Sequence, residues 1–189
     1  MLLSNRLIAP AIIAASTALL GSCSDGGPAD GSGLWIANPD RLGPISAETP
    51  FSQTALAAAL PDFSVVEAEA FAEGEAYLTY EARRTVSGPA ALVVDGNGGQ
   101  LLAVTIREPG LVQAALDIGM LAGSGGLDPA LCFPGVEERS GDVVCQDERP
   151  TGLTFWIRVD HAGPGGEMPP VETLNTGTVY EIQWVPVPG

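Results

Sequence analysis

Two apolar, branched-rich runs, Ala91 to Val94 and Leu101 to Ile106, are joined by Asp95-Gly96-Asn97-Gly98-Gly99-Gln100. Asp, Asn and Gly tolerate the positive backbone angles of a tight turn, so this stretch commits the two runs to antiparallel pairing. The neighbouring segments follow suit. Phe63 to Phe71 and Glu75 to Arg83 alternate partly between apolar and polar positions on either side of Gly74 and read as a second strand pair. Leu153 to Val159 and Thr178 to Val185 read as two further strands. One helix stands out: Thr49-Pro50 has the form of an N-cap followed by proline at the first helical position, Phe51 to Leu60 is rich in helix formers, and Pro61 ends it. Leu111 to Met120 reads as a short helix whose extent the following glycines blur, and Val171 to Leu174 as a short turn or helix. One clear helix and no regular strand-helix alternation predict an α+β fold: an antiparallel sheet, one main N-terminal helix and long loops, in a single domain over 34–189.

The start of the chain reads as a targeting segment. Arg6 supplies a positive charge, and the apolar run from Leu7 to Leu20 is broken only by Pro10, Ser16 and Thr17. It is shorter than the roughly 20 residues that a membrane-spanning helix needs. The run closes on Leu20-Gly21-Ser22-Cys23, which resembles the lipobox of bacterial lipoproteins. The resemblance implies cleavage after residue 22 and acylation of Cys23, with residues 1–22 as signal peptide. Two acyl chains already give stable membrane anchoring. Ser24, in place of Asp, favours the outer membrane over retention in the inner one, with the domain facing the periplasm. Residues 23–33, rich in Gly, Ser, Pro and Asp, read as a flexible tether.

Charge narrows the partners. The formal net charge is -15, every one of the 8 cationic residues is arginine, and loss of the leader would remove only Arg6 among charged residues. Such a chain is unsuited to nucleic acid or to an electrostatic grip on anionic lipid. Its expected partners are the membrane, through Cys23, and an envelope protein. Beyond Cys23 two cysteines remain, Cys132 and Cys145, and in an oxidising periplasm such a pair reads as a disulfide. A metal site would need more ligands than two cysteines and His161, the only histidine, so no cofactor is expected.

Candidate chemistry is sparse. His161 follows Asp160 in a glycine-rich stretch without a Gly-x-Ser-x-Gly elbow to position a nucleophile, and reads as a loop histidine. Asp95-Gly96-Asn97-Gly98 opens like a calcium loop, but Ile106 stands where the closing Glu belongs, so the hairpin reading is preferred. Glu67 and Glu69 share one strand face and could form an acid-base pair; a solvated face explains them as well. Phe155 fits core packing, whereas Trp184 and Trp156, the latter a neighbour of Phe155 on the opposite face, fit either packing in or on the sheet or a surface groove for a partner or apolar ligand. The cysteine loop with Glu137 and Glu138 at its acidic tip is the expected recognition surface.

Several segments together carry a family resemblance: Gly43-Pro44-Ile45-Ser46 with Thr49-Pro50-Phe51, the Cys132-Phe133-Pro134-Gly135 loop running to Cys145, Gly163 to Pro170, Leu174, and Ile182-Gln183-Trp184. In this order they resemble the sigma-E-regulated outer-membrane lipoproteins of bacteria, a family of unknown biochemical activity. The resemblance implies a periplasm-facing lipoprotein linked to envelope stress, with no catalytic residues to transfer. The expected function is therefore a non-catalytic binding or structural role. The rival readings are an envelope hydrolase working through carboxylates and a carrier of an apolar ligand.

Overall fold

A computed structural model describes residues 33–161 and 166–186. The expected leader, Cys23 and all of the tether but Gly33 lie outside the described residues. In chain order the described elements begin with the short strands β1 (Trp35–Asn38), β2 (Arg41–Leu42) and β3 (Ile45–Ser46), then helix α1 (Gln53–Ala59). A four-stranded meander follows: β4 (Ser64–Ala72), β5 (Glu75–Arg83), β6 (Ala90–Asn97) and β7 (Gln100–Ile106). After β8 (Val112–Gln113) come β9 (Cys132–Pro134), β10 (Asp142–Gln146), β11 (Leu153–Arg158), helix α2 (Val171–Thr176) and β12 (Thr178–Trp184).

These strands form two sheets. The large one is antiparallel in the order β4-β5-β6-β7-β12-β11-β10-β9; the small one has the order β3-β2-β1-β8 and pairs β1 with β8 in parallel. One face of the large sheet carries the core, with Leu92, Val94, Val104, Ile106, Phe155, Ile157, Ile182 and Trp184 all almost fully buried. Leu42 and Ile45 of the small sheet, Leu56 of α1 and Leu174 of α2 join the same cluster. Trp184 ties the two sheets together, because its indole N–H donates to the Asn38 carbonyl at 2.8 Å.

The fold is thus mainly β, and the expected α+β class is incorrect. Helix α1 is only two turns long. Its cap is Ser52, whose hydroxyl accepts from the Ala55 N–H at 3.3 Å, while Thr49 spends its hydroxyl on the Ser46 N–H at 2.9 Å. Leu60 has already left helical geometry before Pro61, as the residue preceding a proline tends to do. Leu111 to Met120 is not helical either: Val112–Gln113 pairs with Trp35 and Ile36, and the Asp117 carboxylate closes a turn by accepting from the Gly110 and Ile118 N–H groups. Segments to which the sequence reading assigns no strand supply β1, β2 and β3, and the cysteine loop supplies β9 and β10.

The 95–100 turn forms as the sequence requires, with one refinement. Asp95, Gly96 and Asn97 stay in β6, Asn97 pairs with Gln100, and the turn is the dipeptide Gly98-Gly99, with φ of 57° and 83°. Two consecutive positive φ values define the hairpin turn that matches strand twist. Gly96 answers a different demand: a Cβ there would collide with the Phe51 ring and stand 2.5 Å from the Gln100 carbonyl oxygen.

Candidate functional site

The second face of the large sheet carries the side chains that alternate with the core residues, and charge collects there. β12 alternates Val179 and Ile182 toward the core, yet Tyr180 and Glu181 both end among polar groups. A bulge explains this. Trp156 pairs with Glu181 and Ile157 with Val179, so Tyr180 is an extra residue between them. Such a bulge re-aims side chains that strict alternation would send to opposite faces.

Glu181 is 4% exposed. Its Oε1 accepts from Arg139 Nη2 at 2.7 Å and its Oε2 lies 3.5 Å from Arg107 Nε. Arg139 reaches it from the cysteine loop, donates also to the Tyr180 hydroxyl at 2.8 Å, and lays its guanidinium 4.4 Å over the Trp156 ring. Tyr180 in turn donates to Asp142 Oδ2 at 2.7 Å and lies beneath Arg158, 4.4 Å from the ring centre. Three of the seven arginines that follow the predicted leader thus converge on one sheet face, each beside a carboxylate.

The titration tendencies follow from that packing. Burial opposes the Arg139 charge, but the hydrogen bonds and attraction of Glu181 and Tyr180 outweigh it and hold the guanidinium pKa above its ordinary value. Tyr180 is pushed up to about 12, first by burial and next by the bond to Asp142, against the opposing pull of Arg139. Asp95 is raised above the usual carboxylate range by burial, opposed by Arg107 and reinforced by Glu181. Tyr77 is raised by burial and by Asp95, with Arg139 opposing. Asp95 and Tyr77 therefore belong to the same electrostatic neighbourhood. The tip of the β4–β5 hairpin reaches it as well, since the Glu73 N–H donates to Glu138 Oε1 at 3.4 Å.

The arrangement is a clamp. Cys132 and Cys145 face each other across β9 and β10 and form a disulfide, with Cα atoms 4.0 Å apart. The loop between them carries the one-turn helix Glu137–Arg139, which the Arg139–Glu181 pair pins to the sheet. Among the described residues no buried side-chain nitrogen or oxygen lacks a hydrogen-bond partner. The arginines and carboxylates of this face satisfy one another, which holds the loop and leaves Glu137 and Glu138 displayed at its tip.

Of the other candidate residues, Trp156 shares this face and the rest lie elsewhere. Trp156 is half-buried beneath Arg139, and Phe155 and Trp184 are in the core. Glu67 and Glu69 lie exposed on the outer strand β4, away from the charged face. His161 lines a shallow pocket with Pro134, Gly141 and Pro169, and Asp160 is exposed. Among the described residues no group of three or more His, Cys, Asp or Glu side chains is placed to hold a metal ion, and no helix is long and apolar enough to cross a membrane. Sequence reading missed Arg139, Arg107, Tyr180 and Glu181. Glu181 did leave a trace, as the lone charge in the middle of the final strand.

Fold and site together define a mainly β protein whose disulfide-stapled loop is clamped by arginine-carboxylate pairs onto an antiparallel sheet. The chain belongs to the family described as "Protein of unknown function (DUF1131)", whose pattern matches residues 31–186. The fold is similar to that in "Crystal structure of the uncharacterized protein yfeY from Escherichia coli", with a TM-score of 0.64 over 80% of this chain and 99% of that one, at 20% identity. At that identity the likeness speaks for the fold alone. No curated protein matches the chain.

Proposed function

We propose that this protein is exported, acylated on Cys23 and held on the periplasmic side of the bacterial outer membrane, where its β domain serves a non-catalytic binding or structural role in envelope maintenance under sigma-E control. One observation carries the reading: Leu20-Gly21-Ser22-Cys23 closes an apolar leader core of signal-peptide length. The Cys132–Cys145 disulfide supports it, since such bonds persist in oxidising compartments such as the periplasm. The charged face supports the non-catalytic part. Glu181 is bound to Arg139 and the Tyr180 hydroxyl is locked between Arg139 and Asp142, so these groups rigidify a loop.

The test is intact mass and membrane fractionation of the wild type beside Cys23→Ser in a bacterial host. The wild type is expected to lose residues 1–22, gain acyl mass and sediment with outer membrane, while Cys23→Ser does not. An unmodified, soluble wild type would overturn the reading.

A further inference from the structure

Strand β4 is an outer strand of the large sheet: among the described residues it pairs with β5 and with no other strand. Which of its backbone groups face outward follows from one hydrogen bond. Gln53 Nε2 donates to the Val65 carbonyl at 2.9 Å, so the Val65 peptide groups point away from β5. Antiparallel pairing alternates every residue, so those of Glu67, Glu69 and Phe71 point outward too. Gln53 covers the first of these positions. Nothing among the described residues bonds the outward groups of the next three.

Side chains give this edge a character. Glu67, Glu69 and Phe71 share one face, beside Leu78 and Ala76 of β5, and Phe71 is 67% exposed. Glu73 and Glu75 add negative charge at the tip, and no cation occurs on either strand before Arg83 at the base. Unpaired edges invite further strands and charges guard them against most, while a facing strand of opposite charge is favoured over one of like charge. Antiparallel self-pairing centred anywhere from Glu67 to Glu69 sets carboxylate against carboxylate, which disfavours a second copy. A strand with basic residues at the same alternation meets two carboxylates and leaves an apolar residue for Phe71.

We propose that the β4 edge, from Glu67 to Phe71, captures an extended segment of a partner protein in which two basic residues alternate with small or branched ones and an apolar residue follows. The sheet gains a ninth strand: main-chain hydrogen bonds supply the grip, and Glu67 and Glu69 supply the selection. This deepens the binding role proposed above and rests on it.

The experiment uses the full-length chain in detergent and a fluorescein-labelled nine-residue peptide with two central lysines alternating with valine, ending in leucine. It is run beside the same peptide carrying glutamates for lysines, and beside one N-methylated on its pairing edge. Fluorescence anisotropy is expected to show the lysine peptide binding roughly tenfold or more tightly than either control, a scale set by two cross-strand charge pairs. Glu67→Lys with Glu69→Lys is expected to reverse the charge preference. Glu69→Pro removes one outward N–H without touching the bonds to β5, and is expected to weaken binding while leaving the melting temperature in place. Equal binding of lysine and glutamate peptides to the wild type, binding by the N-methylated peptide, or wild-type dimers that Glu69→Pro dissociates would each overturn the proposal. Running Cys23→Ser in parallel separates the two readings, since peptide capture does not require the acyl chains.

Discussion

Arg139→Ala tests whether the cysteine loop is held by its arginine. Removing one partner of a buried ion pair costs about 3–5 kcal/mol, because the other charge is left uncompensated. Two features lower that figure here: the Arg139 side chain is 37% exposed, and Arg107 remains 3.5 Å from the second Glu181 oxygen. The lost bond to Tyr180 and the contact with Trp156 act in the other direction. We expect a loss of about 2 kcal/mol, which for a domain of this size lowers the melting temperature by roughly 4–8 °C. Urea unfolding of the oxidised protein at pH 7 measures it, in a cycle with Glu181→Gln and the double variant. The coupling is expected to be about 1 kcal/mol or more, and to survive 1 M salt because the Glu181 carboxylate is shielded from solvent. A loss below about 0.5 kcal/mol, the range of exposed pairs, or one that salt abolishes, would refute the clamp.

Three further outcomes are expected. Trp184→Phe removes the indole N–H that reaches Asn38 and opens space in a fully buried site, so it should cost about 2–4 kcal/mol in denaturant unfolding. Tyr180, raised to about 12, favours its neutral form in the folded state, so its contribution is whole below the ordinary tyrosine value near 10 and drains away as pH rises toward 12; absorbance titration at 295 nm should show one late-titrating tyrosine that Tyr180→Phe deletes. Cys132→Ser with Cys145→Ser should cost about 3 kcal/mol by loop-entropy reasoning, read from the shift in urea midpoint, and should free Glu137 and Glu138 to faster amide exchange.

What could be read from the sequence was what local chemistry decides. Gly98-Gly99 makes its turn from backbone freedom alone, and β4, β5, β11 and β12 each carry enough alternation to announce themselves. The failures share a cause. Strands of two or three residues such as β2, β3 and β9 have no period to detect, and Val112–Gln113 becomes a strand only because Trp35 and Ile36 come alongside from the start of the domain. Helix α1 starts too early in the sequence reading because Thr49-Pro50 has the form of a cap, whereas in the fold Ser52 is the cap and the Phe51 ring ahead of it packs edge-on against Tyr80. For the charged face, the residue types were visible but their convergence was not. Arg139 and Glu181 lie far apart in the chain, and a bulge, invisible to a period-2 pattern, turns Tyr180 and Glu181 to the same side.

The order of strands in the large sheet also governs when the chain can finish folding. β4 to β7 can zip as successive hairpins, but β7 lies beside β12, where Ile106 meets Ile182 across about half of the domain's sequence. Closing so distant a pair spends loop entropy before any contact repays it, and sheets of this kind complete slowly. Until β12 arrives, β7 and β11 both present open edges, and Phe155 and Ile106 lack their central neighbour. The last strand among the described residues is thus the one that seals the core. Under the export proposed above, that order would keep the chain threadable until β12 has followed.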